Sequence, residues 1–407
     1  MRKRAQSQAT ATITAEQRRR RVARRHRLIP SERLNNLARL TESVVALHSS
    51  DPATVFLSLA ARMKTPTVRR IENALYQKRT LVRHHAMRRT IWVMTPRFAR
   101  LAHGAATARI ALAEKKRTLK AFAKTKQIKN AEAWYEAAAD EIRELLLDRG
   151  TMSARAIGNC LPHLAVPVQF GSEKYSAVLN AHTKVLQGEG FAAMLVRGPS
   201  TGAWTSAEYV WSDTQRWLGQ AIAGVDESAA AAELLREWLA SFGPATTEDI
   251  KWWFGWTASL TCKSLQAIDA ETVHLDDDAE AWVLPSDVAD DEETEPWLQF
   301  LPGLDATTMG WKQRDWYLDP KHTRPLFDRF GNAGPTIWAD GRVVGSWIQR
   351  PDGAIVYQLL TKLGRDHRRL LDETIERTEA FLGEAVVKPR FPATIQKELL
   401  AKGKSSS

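Results

Sequence analysis

From residue 29 onward, apolar residues recur at helical spacing. Leu34, Leu37, Leu40, Val44 and Leu47 share one face, which predicts an amphipathic helix. A second face, Val55, Phe56, Leu59 and Met63, begins after Asp51-Pro52. There the Asp suits an N-cap and the Pro suits the first helical position. Residues 46–52 are therefore predicted as a helix-to-helix corner that presents His48 and Ser50. Val68, Ile71 and Leu75 predict a third helix after Thr67. Residues 81–83 and 90–94 alternate as two strands of a hairpin rich in Arg and His. Three helices followed by a basic hairpin is the plan of a winged helix.

The plan returns twice. Residues 134–149, a segment capped at 151–154, and residues 176–188 predict three helices, and 191–198 with 209–211 predict wing strands. A third round runs from Leu234, Leu235, Trp238 and Leu239 through a capping stretch at 243–249 and a helix opening at 257–259 to a hairpin at 273–275 and 281–284. Residues 286–296 are acidic and read as a linker. Residues 297–360 are strand-like with turn signals, and 366–383 form an amphipathic helix. The expected organisation is a disordered basic arm (1–27), winged-helix domains at 28–130, 131–222 and 223–290, a β-rich region with a terminal helix (291–396), and a disordered tail (397–407). The fold class is α+β.

Charge sharpens this picture. The net charge of +11 is uneven: residues 1–28 carry +9 and residues 83–130 carry +12, leaving −10 for the rest. Cations gathered into one arm and one segment predict a polyanion-binding face, with double-stranded DNA as partner. No run of 18 apolar residues predicts a membrane span. The basic N-terminus lacks an apolar core, so it is not a secretory signal. Cys160 and Cys262 fit no zinc or redox spacing and read as inert buried thiols in a reducing cytoplasm. The histidines are scattered, so neither metal nor cofactor is expected. No Walker loop or dinucleotide fingerprint occurs.

Four constellations carry candidate chemistry. His48 and Ser50 stand at the corner, where a neutral His48 accepts a proton from water and Ser50 orients it. Asp51 supplies a negative charge if it points inward; otherwise it only caps a helix. Arg83, His84, His85, Arg88 and Arg89 crowd the first hairpin and suit phosphate contact or entry into the minor groove. Lysines and arginines from 115 to 129 follow. Trp252-Trp253-Phe254-Gly255-Trp256 stacks on bases or, by its helical spacing, packs in a core. Lys312, Arg314 and Asp315 follow a glycine turn and line a groove or form surface ion pairs.

Several of these segments resemble the winged-helix DNA glycosylases of the AlkZ/YcaQ type. The resemblance rests on Ser50-Asp51-Pro52-Ala53 with Leu57-Ser58-Leu59-Ala60-Ala61-Arg62, and on Arg79-Thr80-Leu81-Val82-Arg83 with Met87-Arg88-Arg89-Thr90. Phe242-Gly243-Pro244-Ala245-Thr246, Leu301-Pro302-Gly303-Leu304-Asp305 and Gly331-Asn332-Ala333-Gly334-Pro335-Thr336 complete it. It covers roughly residues 30–395. It implies three tandem winged-helix domains arranged as a C around the duplex, and metal-free hydrolytic excision of bulky or alkylated bases, including the unhooking of crosslinks. The family signature at the corner is Gln-x-Gln or Gln-x-Asp, whereas this chain has His48 and Ser50. With the charge pattern, the resemblance implies a monomeric, cytoplasmic, nucleoid-associated N-glycosyl hydrolase. The alternative is a non-catalytic winged-helix DNA-binding protein or transcriptional regulator.

Overall fold

The computed structural model describes residues 11–172, 175–287 and 293–402. Its architecture is α+β, with four sheets among the described residues. The largest has six strands in the order Leu47–His48, Thr90–Met94, Val82–Ala86, Leu195–Ser200, Tyr209–Asp213, Met152–Ser153. The hairpins of the first two rounds thus join edge to edge, with Arg83 directly opposite Arg197. The hairpin Glu271–Leu275 and Glu280–Val283 gains a third, parallel strand from Thr12–Ile13. Leu298–Leu301, Thr336–Ala339, Arg342–Gln349 and Ile355–Leu359 form an antiparallel sheet in the region expected to be β-rich. The helix Arg365–Leu382 packs on it.

The expected 34–47 helix is shorter. Only Leu37–Glu42 is helical. Val45 then takes a left-handed φ of 63°, and Leu47–His48 pairs with Thr90–Met94. Val44 and Val45 are β-branched and disfavour continuation of the helix, and the turn at Val45 brings Leu47–His48 alongside Thr90–Met94. The helix after the corner, Pro52–Arg62, starts where the sequence places it, with Asp51 as N-cap. The corner is therefore strand-to-helix.

The basic arm is not disordered over its described part. Ala15–Arg25 is a helix with a Thr14–Gln17 capping box. Its arginines are engaged within the chain: Arg18 lies 4.1 Å over the Trp316 ring, Arg19 donates to the Trp316 carbonyl, and Arg25 pairs with Asp287 at 2.6 Å. Composition suggested disorder because arginine reads as solvated, yet its long stem buries readily when acids stand nearby. Residues 1–10 lie outside the described residues.

Three smaller expectations change. Residues 176–188 divide into a strand, Tyr175–Asn180, paired with Pro167–Ser172, and a helix, Ala181–Phe191. The tail expected to be disordered from 397 is helical over Thr394–Lys402, with Ile395, Gln396 and Leu399 buried; residues 403–407 lie outside the described residues. Both cysteines are exposed rather than buried, because their helices turn Ile157, Thr261 and Leu265 inward instead.

One large core runs from Val22 to Ile395 and unites the first and third rounds with the C-terminal sheet. A separate core, from Phe122 to Trp211, serves the second round. Among the described residues no helix is long and apolar enough to cross a membrane.

Candidate functional site

The quoted motifs meet in space, and several of them do structural work. Arg62 and Asp305 form a fully buried pair at 2.8 Å, joined by the hydroxyls of Ser58 and Thr307. Thr54 donates to the Gly303 carbonyl at 2.8 Å, and Leu304 donates to that of Ala333. The Pro52–Arg62 helix is thus bolted along its length to the loop 303–307, which is tied in turn to Ala333. That bolt fixes the corner at its N-terminus.

At the corner, both Asp51 oxygens are used and neither is exhausted. One accepts the Ala53 N–H at 3.1 Å and the other accepts the Arg390 N–H at 3.0 Å. A carboxylate has about four acceptor sites, so two remain. Burial raises the Asp51 carboxyl above the ordinary range, and the two backbone N–H groups and the Arg390 charge oppose that rise. Asp51 lines an open cleft of about 420 Å³ together with Ala53, Thr205, Pro351, Val386, Val387 and Lys388. Such a volume suits one small ligand group.

His48 does not line that cleft. It is buried against the edge of Trp92, with ring centroids 4.9 Å apart. Burial, and then the nearby Arg88, lower its pKa to about 3. Its Nδ1 accepts the Ser50 N–H at 3.4 Å, which leaves the proton of the neutral ring on Nε2. The expected proton-acceptor role loses its basis: the ring is a weak base and its acceptor nitrogen is occupied. Ser50 is half-buried, and its carbonyl accepts from Arg390 at 3.2 Å.

The first hairpin divides its cations. Arg83, His84 and His85 are buried in the sheet rather than displayed on it, because the adjoining Leu195–Ser200 strand covers the edge on which they sit. Burial holds His84 at about 3 and His85 well below its ordinary value. The turn keeps its cations accessible: Arg88 is half-buried, and Arg89 is exposed and paired with Glu114 at 2.8 Å. Both turn residues have positive φ, 55° and 61°, a conformation that Asn and Gly adopt with less strain.

The structure joins this turn to the fourth constellation. Arg88 stacks on Trp252 at 4.5 Å and Arg314 approaches the same ring at 5.5 Å. Burial, and then Arg314, lower the Arg88 pKa to about 10. Trp252 is half-buried while Trp253, Phe254 and Trp256 lie in the core, so most of the aromatic run packs inward and only the Trp252 ring meets the two arginines. Lys312 is exposed and 3.3 Å from Glu248. Lys116, Arg117, Lys120, Lys124, Lys126 and Lys129 are exposed on and after the helix Ala108–Phe122.

Sequence reasoning passed over Arg390, Arg197 and Tyr209. Arg390 belongs to Val387-Lys388-Pro389-Arg390, whose only signal is a basic residue on each side of a proline. Arg197 and Tyr209 sat in strands read as a wing, and only the pairing with Arg83 gives them meaning.

No curated protein matches the chain. A solved structure, the DNA glycosylase AlkZ of Streptomyces sahachiroi, is similar in fold: the TM-score is 0.69 at 18% identity, over 94% of this chain and 99% of that one. A family model described as DNA glycosylase AlkZ-like matches residues 41–381. That span runs from just before the corner, through both hairpins and the Arg62–Asp305 bolt, to the end of the last long helix, and the chain belongs to the AlkZ-like DNA glycosylase family.

Proposed function

We propose that this protein excises bulky or alkylated bases from duplex DNA by hydrolysing the N-glycosidic bond, with Asp51 as the group that faces the reacting sugar. The observation that carries this reading is a half-satisfied carboxylate at the mouth of a cleft that Lys388 lines and Arg390 flanks. In an N7-alkylated purine the base is already a cationic leaving group. The C1′–N9 bond breaks with its electron pair going to the base, which departs neutral. The sugar is left as an oxocarbenium-like cation that a fixed negative charge stabilises. Asp51 supplies that charge and accepts a hydrogen bond from the attacking water, whose oxygen bonds C1′ and whose proton passes to solvent.

His48 is a positioning residue in this scheme. By accepting the Ser50 N–H it holds the corner that aims Asp51. Ser50 lies between them and orients the water through its hydroxyl. Arg88, Arg89, Lys312 and Arg314 contact phosphates, with Trp252 under two of them. The three rounds of helices and hairpin act as winged-helix units, at 28–130, 131–222 and 223–290, curved around the duplex. One monomer suffices, because a lesion has no two-fold symmetry to match. Unhooking of interstrand crosslinks is the same bond cleavage applied to both linked bases.

The test uses duplex DNA carrying 7-methylguanine or a nitrogen-mustard crosslink, followed by alkali and a search for strand cleavage at the lesion. Asp51→Asn keeps the helix cap, since Asn caps as well as Asp, and lowers excision by about 10²–10⁴-fold. His48→Ala lowers it less, and leaves the pH profile of the remaining activity unchanged. Excision untouched in Asp51→Asn refutes the assignment. Binding without excision of any lesion favours the non-catalytic DNA-binding alternative.

A further inference from the structure

We propose that Arg83, Arg197 and Arg390 form a binding site for one phosphodiester group of the DNA backbone, at the seam between the first two hairpins and beside the Asp51 corner. The inference rests on the DNA-processing role proposed above and gives the buried hairpin arginine a task distinct from the exposed turn.

Arg83 and Arg197 are directly opposite across two antiparallel strands. Residues so placed project to the same face with Cβ atoms about 5 Å apart, and like charges there are destabilising. Arg83 is 3% exposed, and its Nε and Nη2 have no partner; the Nε of Arg197 has none either. Neither forms an ion pair among the described residues. The contrast with Arg62 is direct: that guanidinium is equally buried and has Asp305 on two of its nitrogens. At the seam the fold supplies no anion.

What it supplies instead is a rim of neutral and donating groups. Arg197 lies 3.7 Å over the Tyr209 ring and 3.4 Å from Nε2 of His85, a ring that burial keeps neutral. Ser49 donates its N–H to the Ile91 carbonyl, and Ile91 is opposite His85. That register puts the Ser49 side chain on the same face as His85 and Arg83. Its hydroxyl is buried without a partner. Arg390, exposed and anchored on Ser50 and Asp51, stands close enough to depress Arg197, which burial, Arg83 and Arg390 together hold at about 9. Apart from the His85 nitrogen, the Arg83 Nε and Nη2, the Arg197 Nε and the Ser49 hydroxyl share one face of the sheet without a partner, and no carboxylate pairs with either arginine among the described residues. A phosphodiester offers one negative charge and two free oxygens that only accept, and it is the anion that DNA carries at every nucleotide.

The test measures DNA binding with and without single methylphosphonate substitutions, which remove one phosphate charge at a time along the lesion strand. The full-length wild-type protein loses affinity about tenfold at one position near the lesion. Arg83→Met binds unmodified DNA about tenfold more weakly, is indifferent to the methylphosphonate at that position, and has a salt slope smaller by about 0.9. Its Tm is equal to the wild type or higher, because an unpaired buried charge is gone. Arg197→Met repeats the pattern, and Arg83→Lys recovers part of the slope. A second arm measures Tm of the DNA-free protein in inorganic phosphate against chloride at matched ionic strength. A rise that Arg83→Met abolishes, with no methylphosphonate effect on DNA, assigns the site to a free anion and overturns the DNA source. Unchanged affinity and slope in Arg83→Met with a lowered Tm overturns the site altogether. Excision is read separately: the binding pattern without excision removes the glycosylase reading and leaves this one, whereas excision without the pattern removes only this one.

Discussion

Replacing Asp305 by Asn leaves Arg62 charged in the interior, and the surrounding geometry sets the cost. Both side chains are fully buried. Arg62 donates to both carboxylate oxygens at 2.9 and 2.8 Å. Ser58 donates its hydroxyl at 2.6 Å and Thr307 its backbone N–H at 2.9 Å. Burial pushes the Asp305 carboxyl up, but Arg62, Ser58 and Thr307 outweigh it and hold the group below its ordinary value. Asn has nearly the same shape, so no cavity opens. What is lost is the counter-charge, which for a broken buried pair costs about 3–5 kcal/mol. Urea unfolding at pH 7, followed by tryptophan fluorescence, reads this as a lower midpoint with an unchanged slope. The double variant Arg62→Met with Asp305→Leu removes both charges and recovers most of the loss. A cost below about 1 kcal/mol is what a solvated pair shows, and would refute the burial argument. A double variant no better than the single would refute the unpaired-charge argument. Because the pair holds the helix that Asp51 caps, Asp305→Asn also lowers excision before it unfolds the protein.

The remaining predictions concern acid, packing and DNA affinity. Burial holds His26, His48 and His84 at about 3, His103 at about 4, and His85 well below its ordinary value. The unfolded chain takes up these protons near pH 6.5, so stability is full above that pH and falls below it, by about 2 kcal/mol per ring at pH 5. A urea midpoint that is flat between pH 7 and 5 would contradict the burial of these rings. Gly190→Ala sets a Cβ 2.8 Å from the His85 ring and 3.0 Å from that of Trp211, and overpacking of this kind costs about 1–3 kcal/mol; an unchanged Tm would mean that the seam yields. Arg88→Ala with Arg314→Ala lowers the salt slope of DNA binding by about two phosphate contacts, and an unaltered slope would move the contact surface away from Trp252.

Much of the fold was legible because its signals are local. Asp51-Pro52 marks a helix start whatever surrounds it, and the helices Thr247–Phe254 and Ala258–Ala267 begin within the stretches 243–249 and 257–259 that the sequence marks. The errors share one cause, which is partnership at a distance. Residues 44–47 fit helical spacing, but Thr90–Met94 recruits Leu47–His48 as a strand. The arginines of Ala15–Arg25 looked like a solvated arm until Asp287 and Trp316 were folded against them. The candidate site divides the same way. Its corner was visible, and so were the turn cations Arg88 and Arg89. The burial of Arg83, His84 and His85 was not, because it depends on a strand more than 100 residues away. His48 was read from its unperturbed chemistry, which burial beside Trp92 and Arg88 overrides.

The pairing of Thr12–Ile13 with Glu271–Leu275 and the seating of Arg390 on Asp51 set the order in which a newly made chain becomes competent. At about 5–20 residues per second, the first strand waits roughly 15–50 s for its partner to be synthesised. During that wait its backbone donors and acceptors are open to other chains. The cleft wall at 386–388 and the anchor at 390 are made more than 330 residues after the Asp51 they hold. A chain that stops short of residue 386 therefore lacks both the cleft wall and the anchor that holds Asp51.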